Sequence, residues 1–543
     1  MIDRKHLYEA MARLVSVPSV SGTEAEAAAA YELEAMLREI PYFKEHKENV
    51  MLVPVENDPF KRVVVAAFLE CAPERADTVI LTGHYDVVDF EEYGSLKEIA
   101  CNVEEISRRI GELPLDAEAR RDFESGEWYF GRGTADMKFG HALCMELLSH
   151  YAQSGTLNGN LLYVAVCGEE TNSEGMLTAV PFFCRFAEQK GLQYRALLLA
   201  EGYMVDGQQE GINYIQYGGS GKIMPLFFCA GKMTHGEEPL SGLDANLLAA
   251  EIYRQMALNP VFCQQNHGIT TAPPVGLKLQ DMKTTYSLST SLYAAAYFNI
   301  ATIQLDPEAL MSQLTDIAQK AFCETIALMK RRTAEYEALT GKEAACYEAE
   351  PCVMTFRQLY SEVERQFDGD LSEHLKEYTR ERMAENPEMQ DVSTRLVKHL
   401  YELYRGKKPM IVTAVIPPYY PDVNIEPDEP NTANMLRCID SIIRYARETY
   451  GETLEVSEYY GISDLCYTWL LQGMDFDKIF DNLTGAGDFY QFPAEALKQF
   501  RVPAVVLGSK GRDMHKFTER LEKRYNFEVL PDLYIRFIDE LLR

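Results

Sequence analysis

Thr78-Val79-Ile80-Leu81-Thr82-Gly83-His84-Tyr85-Asp86 decides the fold class, because an apolar run here ends directly in glycine, histidine and aspartate. A short apolar run without alternation fits a strand buried on both faces, as in parallel sheets covered by helices. In open sheets of this kind ligands bind beyond the carboxyl ends of the strands, where the following side chains emerge into shared space. His84 is therefore a candidate metal ligand. Asp86 is a candidate to hydrogen-bond the second imidazole nitrogen and fix its tautomer.

The same pattern continues outward. Apolar runs at 62–69, 160–167 and 196–200 alternate with helical patterns at 139–151 and 176–190. It returns near the other end, with strands at 410–416, 454–458 and 504–507 and helices at 434–450 and 531–542. Strands alternating with helices predict an α/β fold: a mixed, mostly parallel sheet covered by helices on both faces. Helices at 7–15 and 24–40 precede it, with Ser21 and Thr23 as candidate N-caps of the second. The two ends are expected to form one discontinuous domain, 1–216 and 405–543, interrupted by an inserted domain at 217–404. The insertion reads as a strand at 222–231, a helix at 243–258, strands within 276–303 and a long helix at 307–339, an order that predicts a ferredoxin-like α+β sandwich. Its last part, about 340–404, is strongly charged and helical by composition, the pattern of solvated helix faces.

Of 543 residues, 47% are hydrophobic and 25% charged, the composition of a folded globular protein, and the formal charge is -30. Such acidity repels a phosphate backbone and argues against nucleic acid as a partner. The uncharged stretch 286–305 is studded with Ser, Thr, Tyr, Asn and Gln, so it reads as strand and not as a membrane span. The start of the chain has no signal-peptide pattern, and the twelve cysteines lack any C-x-x-C pair, so reduced thiols in the cytoplasm are expected.

Four further pieces carry chemistry. Gly131-Arg132-Gly133-Thr134-Ala135-Asp136-Met137-Lys138 is a glycine-rich loop entering a helix, without the spacing of a phosphate-binding loop, and Asp136 is its candidate ligand. Cys167-Gly168-Glu169-Glu170 places two carboxylates at the end of an apolar run, pointing apart, which suits one ligand and one base. Glu201 ends the apolar run 196–200, where a carboxylate has to be exposed, paired or bound to a cation. His515 follows the run 504–507. Two imidazoles with several carboxylates form a donor set for zinc that also accepts manganese or cobalt.

These pieces resemble the co-catalytic zinc hydrolases that include acetylornithine deacetylase, succinyl-diaminopimelate desuccinylase, aminoacylase and glutamate-releasing carboxypeptidase. The resemblance is carried by Pro18-Ser19-Val20-Ser21-Gly22-Thr23-Glu24, Gly83-His84-Tyr85-Asp86, the 133–138 and 168–170 motifs, Glu201, the insertion's 235–246 segment beginning His235-Gly236-Glu237, and His515 with Glu519. Length and the charged insertion look most like family members of bacterial arginine utilisation. The resemblance implies a two-metal (zinc) amidohydrolase that cleaves an amide bond in a small N-acyl amino acid or short peptide. It implies that Asp136 bridges two Zn2+ ions, that His84 and Glu201 complete one site and Glu170 and His515 the other, and that Glu169 is the general base. His235 is implied to be a lid histidine that hydrogen-bonds the developing oxyanion. The insertion is then a lid and dimerisation domain. A homodimer through it and a monomer whose extra helices cover that surface are both open.

Two departures qualify the resemblance. Gly461-Ile462-Ser463-Asp464-Leu465-Cys466 matches a family stretch that ends in a carboxylate-binding arginine, but here Cys466 stands in that place. Asp464, Lys510 and Arg512 are the candidate substrate-binding residues, the last two as substitutes for that arginine. Phe139 replaces a glycine and is expected to narrow the pocket. Glu201, where aminopeptidase relatives tend to carry aspartate, tilts the reading toward deacylation. A dipeptidase or aminopeptidase is the alternative enzyme. A non-catalytic binding protein on the same fold is the alternative outside enzymes, and the presence of Glu169 and all five ligand candidates speaks against it.

Overall fold

The structure, a computed structural model, describes residues 2–203, 211–266, 269–470 and 476–543. The chain divides into two units: Met1–Gly219 with Val423–Leu470 and Pro493–Arg543, and Ser220–Asp422 with Leu471–Phe492.

The first unit is built on an eight-stranded sheet. Its strands are β1 (Val50–Pro54), β2 (Val63–Glu70), β3 (Asp77–His84), β4 (Asn160–Val166), β5 (Gln193–Leu199), β6 (Ile212–Gly219), β7 (Thr453–Tyr460) and β8 (Ala504–Leu507). Their order is β1-β2-β4-β3-β5-β8-β6-β7. The four central strands β4, β3, β5 and β8 run parallel. Strand β2 is antiparallel to β4, and β6 is antiparallel to β8, so the sheet is mixed.

Helices cover both faces, and the period-two alternation of a strand shows which side chain meets which. In β2, Val65, Ala67 and Leu69 join a core containing Leu7, Leu33 and Phe537 from helices near the two chain ends and Phe139 from the helix Phe139–Ser154. Phe68 points the other way, its ring 5.3 Å from that of Phe186 in the helix Glu174–Lys190. In β3, Val79, Ile80 and Leu81 are all fully buried, each worth about 1.5–3 kcal/mol relative to exposure. The predicted parallel strand before His84 thus forms because no side of it tolerates water.

The second unit holds a five-stranded sheet in which Val275–Asp281, Tyr293–Thr302, Gly221–Ala230 and Met410–Tyr420 are neighbours in that order, all antiparallel. With the helices Ala245–Met256 and Pro307–Thr340 this is the ferredoxin-like β-α-β-β-α-β order, and Val353–Thr355 adds a short parallel edge strand. The sequence expectation needs two corrections here. The run at 410–416 belongs to this sheet, because Met410 to Ile416 pair with Ala230 to Met224, so the second boundary lies after Asp422 and not before 405. Residues 476–492 also join this unit. The charged stretch is helical at Phe356–Glu364, Leu371–Glu385 and Met389–Leu403, but its apolar face is buried: Leu359, Leu375, Leu396 and Leu400 share a core with Leu226, Phe228 and Val412 of the sheet. Among the described residues no helix is long and apolar enough to cross a membrane.

Candidate metal centre

Because β4, β3, β5 and β8 are parallel, their carboxyl ends open at one edge of the sheet. His84 is the last residue of β3, Glu169 and Glu170 follow β4, Glu201 follows β5, and His515 lies beyond β8. Asp136 sits in the irregular turn Thr134–Lys138 that feeds the helix Phe139–Ser154. His84 Nε2 is 2.9 Å from Asp136 Oδ1. His515 Nε2 is 3.0 Å from Asp136 Oδ2 and 3.1 Å from Glu170 Oε2. One carboxylate therefore presents one oxygen to each imidazole. Ligand atoms of His84, Asp136 and Glu201 lie within 4.8 Å of one another, as do those of Asp136, Glu170 and His515 and those of His84, Glu169 and Glu170.

Asp86 ties these loops together. Its carboxylate accepts from the Ser21 hydroxyl at 2.6 Å and from the backbone N–H groups of Glu169 at 3.3 Å and Glu170 at 3.2 Å. His84 Nδ1 lies 3.1 Å from the Asp86 carbonyl oxygen and 3.6 Å from its carboxylate, so the backbone is the nearer acceptor. Ser21 is thus occupied by Asp86, whereas Thr23 Oγ1 accepts from the backbone N–H of Ala25 at 3.3 Å at the start of the helix Ala25–Glu39. The sequence reading missed Glu26 and Arg62. Buried Glu26 accepts from Gly168 N at 3.0 Å and Gly22 N at 2.7 Å, and Arg62 Nη1 donates to it at 3.2 Å. Gly168 has φ +70, and a Cβ there would meet Arg62 Nη1 at 2.8 Å, so only glycine fits the turn that delivers the two glutamates. Glu26 lies just beyond the 18–24 motif, which was the available signal.

A second tie was also missed. Glu519 Oε1 accepts from the backbone N–H groups of Ala135 at 3.1 Å and Asp136 at 3.3 Å, and Arg132 Nη1 donates to Oε2 at 2.7 Å. Arg132 Nη2 donates to the His515 carbonyl oxygen at 3.1 Å. One buried ion pair thus grips both the Asp136 turn and the His515 turn. Breaking such a pair leaves an uncompensated buried charge, so Glu519→Gln is expected to destabilise the protein by about 3–5 kcal/mol, read from denaturant unfolding of the metal-free chain. A loss below about 1 kcal/mol would show that the pair has no such role.

The protein's own groups leave this centre electrostatically frustrated. The carboxylates of Asp136 and Glu170 raise His515 to about 10. Burial would lower His84, but Asp136 and Asp86 outweigh it and hold the imidazole well above its usual range. Burial would likewise raise Asp136, yet His515 and His84 keep it well below the usual carboxylate range. Burial pushes Glu169 well above its ordinary value, with Glu201, Asp464 and Glu170 adding to the shift and His84 opposing it. Burial also raises Glu170, with Asp136 contributing. Crowded carboxylates resist ionising together unless positive charge is supplied.

The other candidates lie in varied settings. Asp464 is buried and lines one cavity with His84, Glu169 and Glu201, and burial pushes its carboxyl to about 7. Arg512 is engaged by Asp122 at 2.9 Å and Glu118 at 3.1 Å and lies over the Trp128 ring, so its charge is already paired. Lys510 is half-buried, its backbone N–H donating to Asn526. Cys466 is buried outside the cavity lining. Phe139 does not narrow that cavity. It packs in the core with its ring 5.2 Å from Phe527. His235 is in the second unit, exposed, with its Nδ1 accepting from Glu237 N at 3.3 Å.

The chain is 34% identical to the protein YqjN of Bacillus subtilis (strain 168) over 549 residues, covering 99% of this chain and 97% of that one. It is 28% identical to protein RocB of the same organism over 527 residues, covering 96% and 92%. An M20 family metallo-carboxypeptidase of Sulfolobus solfataricus shares the fold at a TM-score of 0.55 and 12% identity, covering 99% of both chains. The family model described as peptidase family M20/M25/M40 matches residues 80–540, and the chain belongs to that family of metallopeptidases.

Proposed function

We propose that the first unit holds two divalent cations and hydrolyses an amide bond in a small N-acyl amino acid or short peptide. The observation that carries this reading is Asp136, with one oxygen 2.9 Å from His84 and the other 3.0 Å from His515. His84 and Glu201 on one side, and Glu170 and His515 on the other, complete a donor set of imidazoles and carboxylates that fits zinc and also suits manganese or cobalt. A pair of such ions acidifies water and polarises a carbonyl. Glu169 is the base that takes the proton of the attacking water and returns it to the leaving amine, a task that suits its raised pKa. Asp86 holds His84 and the loop of the two glutamates. His235 is the donor to the developing oxyanion, which makes the second unit a lid. Lys510 remains a candidate for a substrate carboxylate, whereas the pairing of Arg512 argues for a positioning role. A role in amino-acid utilisation, arginine included, and a cytoplasmic location complete the reading. Sedimentation of the loaded protein distinguishes a homodimer through the lid from a monomer.

The test is to strip the protein with a chelator, reload it with zinc and screen N-acyl amino acids and dipeptides. Hydrolysis that returns only with metal is expected. Turnover that survives chelation, or none against the whole panel, contradicts the proposal.

Metal uptake should also depend on pH. A ligating imidazole must be neutral, whereas His515 in the metal-free protein keeps its proton up to about pH 10. Loading near neutral pH therefore expels protons, and affinity is expected to rise with pH up to that value. Titration calorimetry in buffers of different ionisation enthalpy reads this as net proton release. Proton-neutral loading would contradict it.

A further inference from the structure

His515 differs from the other candidate ligands in how its position is fixed. His84 closes β3 and Glu201 stands just past β5, but His515 lies on a turn well beyond Leu507, the end of β8, and its side chain is 50% exposed. Packing therefore does little to orient the imidazole, and the backbone beneath it has to. That backbone is unusual: Asp513 and His515 both have positive φ, +54° and +69°, a region that side chains rarely adopt unless their surroundings impose it. The Asp513 carboxylate supplies such surroundings. It accepts from the Thr518 hydroxyl at 2.8 Å, from Lys516 Nζ at 2.9 Å and from Arg520 Nη1, so its bonds reach across His515 to the far side of the turn. Arg520 is fully buried. Its Nη1 also donates to the Thr518 carbonyl oxygen at 3.0 Å, its Nε to Asp122 at 2.7 Å and its Nη2 to Glu118 at 3.3 Å. Asp122 and Glu118 belong to the helix Ala117–Ser125, which supplies no candidate ligand. Arg512 meets the same two carboxylates, so three acids face two arginines and a lysine and the cluster is balanced within the protein.

We infer that Asp513 and Arg520 are positioning residues for His515: together they fasten its left-handed turn to the helix Ala117–Ser125 and so aim Nε2 at Asp136 and Glu170. The inference rests on the proposed two-metal reading, in which Glu170 and His515 hold the second ion. Arg132 fixes the His515 carbonyl oxygen, whereas Asp513 fixes the stretch that leads into His515. Loss of the clamp should therefore be felt at one metal site and not at the other, because His84 and Glu201 are delivered by strands that the clamp does not touch. An ion pair that served stability alone would show no such selectivity.

Asp513→Gly separates these roles, because glycine adopts a positive φ freely while the carboxylate is removed. The two steps of zinc binding are measured by competition with a chromogenic chelator in the wild type, His515→Ala, Asp513→Gly and near-isosteric Asp513→Asn, with denaturant unfolding of each metal-free protein recorded beside them. His515→Ala identifies the step that belongs to the second ion. Both Asp513 variants should weaken that step about 10- to 100-fold and leave the other unchanged, whatever they do to unfolding. The unchanged step also shows that a variant has folded, and Asp513→Asn carries the test if Asp513→Gly does not. Unaltered affinity at both steps, or an equal loss at both, would overturn the inference and leave the two-metal reading in place. A wild type that binds a single ion, or a His515→Ala variant that alters neither step, would sink that reading and this inference with it.

Discussion

Glu169→Ala is expected to lower kcat by about 10²- to 10⁴-fold while the protein still binds both metals, because general acid–base catalysis by one positioned group is worth about that much. The prediction separates two roles that adjacent residues could share. Glu169 and Glu170 leave β4 together, their backbone N–H groups donate to opposite oxygens of Asp86, and only Glu170 lies 3.1 Å from His515. Metal content by elemental analysis, with steady-state rates on the best substrate of the panel, reads both effects. If Glu169→Ala lost metal as well as rate, Glu169 would be a ligand and the base would lie elsewhere.

Asp136→Asn is expected to have the broader effect, emptying both sites. The two triads share this carboxylate, and the metal-free protein depends on it to balance two imidazoles whose pKa values it raises. Replacing an outer-shell group typically costs about 10- to 100-fold in metal affinity, and a ligand common to both ions should exceed that at each. Glu201→Gln, by contrast, should weaken one site and spare the other. Competitive titration with a chromogenic chelator resolves the two steps. Retention of one tight ion by Asp136→Asn would show that the carboxylate serves a single site.

The legible part of this centre is the part where chemistry follows directly on a buried strand. His84 closes β3, and Glu169, Glu170 and Glu201 come just after β4 and β5, so apolar runs announced both the strands and the residues leaving them. Long-range ties were not legible. Arg132 lies in the quoted glycine-rich loop, but its partner Glu519 is 387 positions away, and nothing local marks such a pair. Arg512 misled for the converse reason: it neighbours His515 in sequence, yet donates to Asp122, 390 positions earlier. The second domain boundary failed because Met410–Tyr420 reads as any apolar strand, while the partner that claims it, Gly221–Ala230, precedes a helical extension that separates the two in sequence. Buried charge was hidden too. Composition gives a net -30, but only folding brings Asp136, Glu169, Glu170, Glu201 and Asp464 to the same end of one sheet.

The most direct test is anomalous diffraction from crystals of the zinc-loaded protein, recorded on both sides of the zinc absorption edge. Two peaks are expected, flanking the Asp136 carboxylate, one contacted by His84 and Glu201 and the other by Glu170 and His515. A single peak, or two that do not share Asp136, would contradict the account.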